Sequence, residues 1–366
     1  MSERTEVLVI GGGVIGTSIA AQLAEAGVGT VLLDRGELGS GASGTTAGVV
    51  RTYFPDSALV GELAVRSLAA YHALAKRSGI DLGLDRVGFL VLFTDEHQVE
   101  DFQRERSGQH AAGVEVELVT AAEAARRNPL LDPNSIVAAA WSPEAYSCDP
   151  AAIVRAFAAT AERAGAVLRT GTAVTAIDPD GLVHTSAGTI RADTIVCAAG
   201  PWADTVAALA GVDLPVTTYP VDLLLTDAPA AAGPAAIPMT LHPSSLRIRS
   251  WGDRILIGMG RPGPDETREA WRERVSRQLA ATYPALAGQR IDHGWSGDLD
   301  VSPDGVPFIG RDPQRPFVYA AGFSGQGLCQ APAAGAIVRD LILGTEGNID
   351  DRLGLQRIQP RLGVLR

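Results

Sequence analysis

Six residues and one acid carry the first legible chemistry: Gly11-Gly12-Gly13-Val14-Ile15-Gly16, then Asp34. Residues 5–10 (Thr-Glu-Val-Leu-Val-Ile) read as a buried strand, residues 14–26 as a helix, and 29–33 as a second apolar strand ending at Asp34. Gly11 permits a tight turn, Gly13 lets a pyrophosphate approach the backbone, and Gly16 lets helix and strand pack closely. Free N–H groups and the positive helix end suit phosphate. Asp34 stands where an acid accepts ribose hydroxyls. The alternative, a βαβ unit whose glycines serve packing alone, leaves the acid at the end of the second strand unexplained.

Other reactive side chains form no recognisable constellation. Cys148, Cys197 and Cys329 are widely spaced and lack a CxxC pair, so buried free thiols are expected. The histidines at 72, 97, 110, 184, 242 and 293 show no metal-ligand spacing, and no metal is expected. A formal net charge of −11 argues against nucleic acid and against anionic membrane surfaces as partners. The N-terminus lacks the basic start of a signal peptide, and 14–26 is too short to span a bilayer. A cytoplasmic protein is the expectation; no oligomeric state is specified.

The elements that must position this chemistry follow from periodicity and punctuation. Helices are expected at 58–78, 95–107, 120–127, 265–282 and 331–343, and one from Asp149-Pro150 to about Ala164, ended by Gly165. Strands are expected at 86–93, 166–169, 174–177, 194–198, 221–226, 246–250, 254–258 and 317–321. Gly322 to Gly327 is a second glycine turn between strand and helix. The strand–turn–helix pattern thus occurs at both ends. It implies an α/β fold whose Rossmann-like nucleotide domain is built from discontinuous segments, with a β-rich lobe inserted. Expected boundaries are 1–84, 143–214 and 301–366 for that domain, and 85–142 and 215–300 for the lobe.

Four blocks resemble the FAD-dependent amino-acid and amine oxidoreductases that include glycine oxidase, sarcosine oxidase and D-amino-acid oxidase. They are Val9–Asp34 with Arg35, the small-residue run 39–48, Thr194–Trp202, and Ser302–Gly310 joined to Ala321–Gly327. The resemblance covers nearly the whole chain. It implies noncovalent FAD on Gly11, Gly13, Val14, Ile15, Asp34, Arg35, Ser43, Thr45, Thr46, Ala47, Gly48, Val174, Gly200, Trp202, Gly322, Phe323, Ser324, Gly325, Gln326 and Gly327. A flat cofactor needs backbone close against it, and the run 39–48 lacks bulky side chains. The late turn would set a helix N-terminus at the flavin carbonyl edge.

The implied reaction is hydride transfer from the carbon beside an amine to the flavin, giving an imine that hydrolyses. The cofactor carries the hard step, so no catalytic side chain beyond the flavin is expected. Arg51 matches a carboxylate-binding arginine of the sarcosine-oxidising branch, and arginine suits a bidentate grip. Arg247 and Arg249 share one face of an expected strand, so either they or Leu246 and Ile248 face the flavin. Departures are visible. Asp298-Leu299-Asp300 stands where glycine oxidase places a substrate arginine before the late block, and Gly325 replaces another. Gly297 lies near the cysteine that holds FAD covalently in some relatives. Lys76, the only lysine, matches no oxygen-activating position. The leading expectation is oxidation of an amino acid or N-substituted amino acid, with oxygen or another acceptor and oxidase favoured over dehydrogenase. An NAD-dependent dehydrogenase and a non-catalytic flavin-binding subunit are the alternatives.

Overall fold

The computed structural model describes residues 3–55, 57–226, 237–345 and 351–358. Parts of the expected segments, 227–236 and 346–350 among them, lie outside the described residues.

A parallel sheet organises the nucleotide side. Its strands lie in the order Phe317–Ala321, Gly188–Cys197, Glu3–Ile10, Thr30–Leu33, Val167–Arg169. Val7 to Ile10 and all of Thr30–Leu33 are buried, as expected of parallel strands covered on both faces. Ile10 pairs with both Leu33 and Cys197, and Cys197 with Tyr319, so four strands end together along one edge. The chain order reverses beside Glu3–Ile10, which places a ligand crevice beyond those carboxyl ends.

Eight α-helices are described: α1 (Val14–Glu25), α2 (Ala58–Ser78), α3 (Glu96–Ala111), α4 (Ala121–Arg127), α5 (Pro150–Arg163), α6 (Ala203–Leu209), α7 (Arg268–Thr282) and α8 (Gly327–Leu343). α5 starts as its sequence dictates: the Asp149 carboxylate accepts the Ala152 amide at 3.0 Å, and Pro150 occupies the first turn. α8 begins at Gly327, four residues earlier than its periodicity suggested. The expected start was 331; the helix instead opens directly from the glycine turn. Pro332 sits inside α8 and leaves the Leu328 carbonyl free of its helical partner. The Tyr71 hydroxyl of α2 donates to that carbonyl at 2.6 Å.

α1 and α8 lie side by side. Ser18 Oγ donates to the Ala331 carbonyl at 2.8 Å, and a Cβ on Gly335 would come within 2.6 Å of Ser18 Oγ. Small residues let the two backbones approach, so both helix N-termini reach the same sheet edge. The expected strand 86–93 divides at Gly88 (φ 75°), where a Cβ would lie 2.0 Å from the Trp141 ring. Asp85–Arg86 joins a small sheet with Val49–Arg51 and Ala145–Ser147, while Phe89–Phe93 enters a larger one.

That larger sheet has eight strands, in the order Ile291–Val301, Thr217–Thr226, Arg254–Gly258, Arg247–Trp251, Met239–Leu241, Phe89–Phe93, Ala138–Ser142, Glu117–Thr120. Leu246 and Ile248 point into a core built around Trp271, Val275 and Leu279 of α7. The opposite face looks toward the parallel sheet.

Candidate active site

Close packing makes the first glycine turn. Gly11 holds φ 115°, and a Cβ there would lie 2.3 Å from the Ala198 carbonyl oxygen. A Cβ on Gly16 would lie 1.8 Å from the Gly11 carbonyl oxygen. Turn, helix and neighbouring strand therefore nest backbone on backbone, and only glycine satisfies both positions. Beyond the turn, Asp34 accepts the Gly12 amide at 2.6 Å through one oxygen and the Gly36 amide at 2.7 Å through the other. Each oxygen keeps a lone pair for a further donor. Arg35 lies over the Trp202 ring at 4.0 Å, joining two segments distant in sequence.

The run 39–48 fills the gap between the two sheets. Ser43 Oγ accepts the Val14 amide at 2.9 Å. On the other side, the Trp295 indole donates to the Thr45 carbonyl at 2.8 Å. A Cβ on Gly297 would lie 2.3 Å from Thr45 Oγ1, so no cysteine fits there without moving this loop. Trp295 also packs on Trp251, ring centroids 4.9 Å apart.

The late glycine turn is anchored by Asp300. Its Oδ2 accepts the amides of Gly322 at 2.8 Å and Phe323 at 3.1 Å, and its carbonyl accepts Ser324 N–H at 2.7 Å. Burial pushes the Asp300 carboxyl up to about 6, against the opposing pull of these amides. Gly325 (φ 77°) faces Leu299, whose methyl would sit 3.1 Å from a Cβ. A side chain here would take a left-handed backbone and press on Leu299.

Three arginines close the far end of the crevice. The strand at 247–251 turns Arg247 and Arg249 toward the parallel sheet, which settles the orientation that alternation left open. Arg249 Nη1 donates to the Gly48 carbonyl at 2.6 Å, and its Nε is buried without a partner among the described residues. Arg51 donates to the Tyr53 carbonyl and stacks on Phe54 and Phe89 at 3.8 and 4.6 Å. Burial first, and the nearby Arg247 charge, lower Arg51 to about 10, still fully cationic at neutral pH.

These features line one continuous cavity of about 660 Å³, within the size range of cofactor and ligand sites. It is walled by the cofactor candidates Gly11, Gly13, Val14, Ile15, Asp34, Arg35, Ser43, Thr45, Thr46, Ala47, Val174, Gly200, Trp202, Phe323, Ser324, Gly325, Gln326 and Gly327, and by the substrate candidates Arg51, Arg247 and Arg249. Gly48 and Gly322 stand behind this wall. Gly48 takes φ 63° and offers its carbonyl to Arg249; Gly322 takes φ 75° and gives its amide to Asp300. Sequence reasoning missed Asp300, Asp222, Phe54 and Met239 as cavity residues. The only available signal for Asp300 was an acid two residues before Ser302-Pro303-Asp304, and it was read as a departure.

FAD fits this site on two structural grounds. The N-termini of α1 and α8 both reach the cavity, and neither first turn carries an acid or a side-chain cap at its N-cap residue. Such ends attract an anion or a developing negative charge. Between them the walls at Gly11, Gly13 and the run 39–48 are backbone and small side chains. The FAD-dependent oxidoreductase family model (DAO) matches residues 6–341.

The chain belongs to this family. It is 30% identical to a glycine oxidase of Geobacillus kaustophilus over 93% of this chain and 94% of the relative. The crystal structure of L-proline dehydrogenase from P. horikoshii superposes with TM-score 0.87 at 30% identity, covering 97% of each chain. Glycine oxidase from Geobacillus kaustophilus superposes with TM-score 0.83 at 29% identity, covering 97% of this chain and 99% of that one. This enzyme is an FAD-dependent oxidoreductase, which overturns the alternative of an NAD-dependent dehydrogenase. Among its described residues no helix is long and apolar enough to cross a membrane.

Proposed function

We propose that this enzyme oxidises an amino acid or N-substituted amino acid at the carbon beside its amine. One observation carries the reading: the wall that suits FAD and the three arginines belong to the same cavity. When bound, the flavin supplies a two-electron acceptor that takes the hydride from that carbon. The chain's own residues bind and orient. Arg51 holds the substrate carboxylate, its guanidinium fixed in plane by Phe54 and Phe89 and by its bond to the Tyr53 carbonyl. The strand at 247–251 shapes the substituent pocket. Asp300 fixes the turn before α8, and α8 presents its positive end to developing negative charge.

No base is needed if the amine enters neutral; its N–H proton leaves to solvent as the carbon gives up hydride. Water then converts the imine to a carbonyl compound and a smaller amine. Oxygen serves as the electron acceptor in this reading. We assign the described residues within 1–84, 143–214 and 301–366 to the nucleotide body and those within 85–142 and 215–300 to the lobe. Anaerobic addition of amino acids and N-alkyl amino acids to the yellow protein tests the assignment. Bleaching by a member of this set, with colour restored on admitting air, is the expected result. Failure of all of them to bleach the isolated chain removes the reading and favours a non-catalytic flavin subunit.

A further inference from the structure

The charges lining the cavity do not balance within the chain. Arg51, Arg247 and Arg249 form no ion pair with any described residue. Three acids line the same cavity, and each is engaged elsewhere. Asp34 accepts the Gly12 and Gly36 amides at the nucleotide end. Asp222 accepts Ser296 Oγ at 2.5 Å and pairs with Arg268 at 3.2 Å. Asp300 accepts the Gly322 and Phe323 amides.

Arg247 is the most telling of the three. Its guanidinium makes no hydrogen bond to a described residue, yet protein crowds it enough to lower its proton affinity. More than a third of its surface stays accessible, and the cavity is what it faces. Arg249 adds a buried, unpartnered Nε. Arg51 lies close enough for Arg247 to repel its charge. Uncompensated neighbouring cations cost stability unless a ligand answers them. One carboxylate, held by Arg51, leaves Arg247 and Arg249 without an anionic partner among the described residues.

We propose that the substrate carries two acid groups: Arg51 takes the carboxylate beside the reacting carbon, and Arg247 with Arg249 takes a second carboxylate on the substituent. This rests on the amino-acid reading above and narrows it to dicarboxylic amines.

Two thioethers without an amine, methylthioacetate and thiodiacetate, differ by one carboxylate and offer no N–H for oxidation. Each is titrated into the FAD-loaded enzyme at fixed ionic strength, with the flavin absorption spectrum reporting binding. The diacid is expected to bind about 10- to 100-fold more tightly, the range for a charged hydrogen-bonded contact. In Arg247→Met that preference collapses toward parity, whereas exposed Arg254→Met keeps it; retained flavin absorbance shows that each variant is folded. Equal binding of both acids by the unaltered enzyme, or a preference that survives Arg247→Met, overturns the second carboxylate site. If the two acids bind equally and mono-acidic amines bleach the flavin, only this inference falls. If neither thioether perturbs the spectrum and no amino acid bleaches it, the amino-acid reading falls as well.

Discussion

Asp300 Oδ2 accepts the Gly322 amide at 2.8 Å, so a single buried carboxylate ties the lobe's longest strand to the turn that opens α8. Its proton affinity is raised, because burial outweighs the two amides that favour the anion. The sign follows from linkage. A carboxyl at about 6 in the fold and 3.8 otherwise supports the folded state below about pH 4 and loses that support as pH rises through 6. Asp300→Asn keeps an acceptor oxygen and removes the titration. Relative to the parent, its urea midpoint should rise between pH 4.5 and 7.5, by at most ~3 kcal/mol in stability. Parallel profiles would contradict the assigned shift.

The nest of backbone around Gly16 makes a sharper claim. A Cβ there has 1.8 Å to the Gly11 carbonyl oxygen, and backbone cannot step aside as a flexible side chain can. Gly16→Ala should yield protein that is folded by circular dichroism but largely colourless, with FAD affinity weakened by about 100-fold or more. A yellow variant with parental affinity would show that the turn tolerates opening.

Arg51 is judged by kinetics. Arg51→Met keeps the stem against Phe54 and Phe89 and loses the fork. With FAD still bound, KM should rise about 10- to 100-fold, since a charge-assisted contact is gone. Unaltered KM for every substrate that bleaches the flavin would clear Arg51 of carboxylate binding.

Attachment of the cofactor can be read by eye. Gly297 has no room for a thiol beside Thr45. Cys329 lines the cavity, but burial raises its thiol and its sulfur faces the Val49 carbonyl at 3.5 Å. Acid precipitation should leave a white pellet and a yellow supernatant. Flavin retained by the pellet would point to a covalent bond.

Local grammar made much of this molecule legible. The turn at Gly11–Gly16, the cap at Asp149 and the strand alternation at 247–251 are short-range facts, and sequence carries them directly. Alternation gave two faces at 246–249 without choosing between them, because the choice depends on where α7 docks: Trp271 packs with Leu246 and Ile248 and sends the arginines the other way. The opening of α8 was placed four residues late; Pro332 is tolerated inside the helix because Tyr71 from α2 satisfies the carbonyl it frees, a partner that local sequence does not reveal. Asp300 was read as a departure for the same reason. Nothing in its neighbourhood along the chain reveals that its partners lie 22 and 23 residues further on.

Ser18 on α1 and Ala331 on α8 are bonded across 313 positions, and the two helices they join both bring their N-termini to the cavity. A ribosome releases the first of these helices long before it makes the second. Flavin loading therefore waits until α8 has been made, and a chain truncated before α8 would have nothing to close against its first turn.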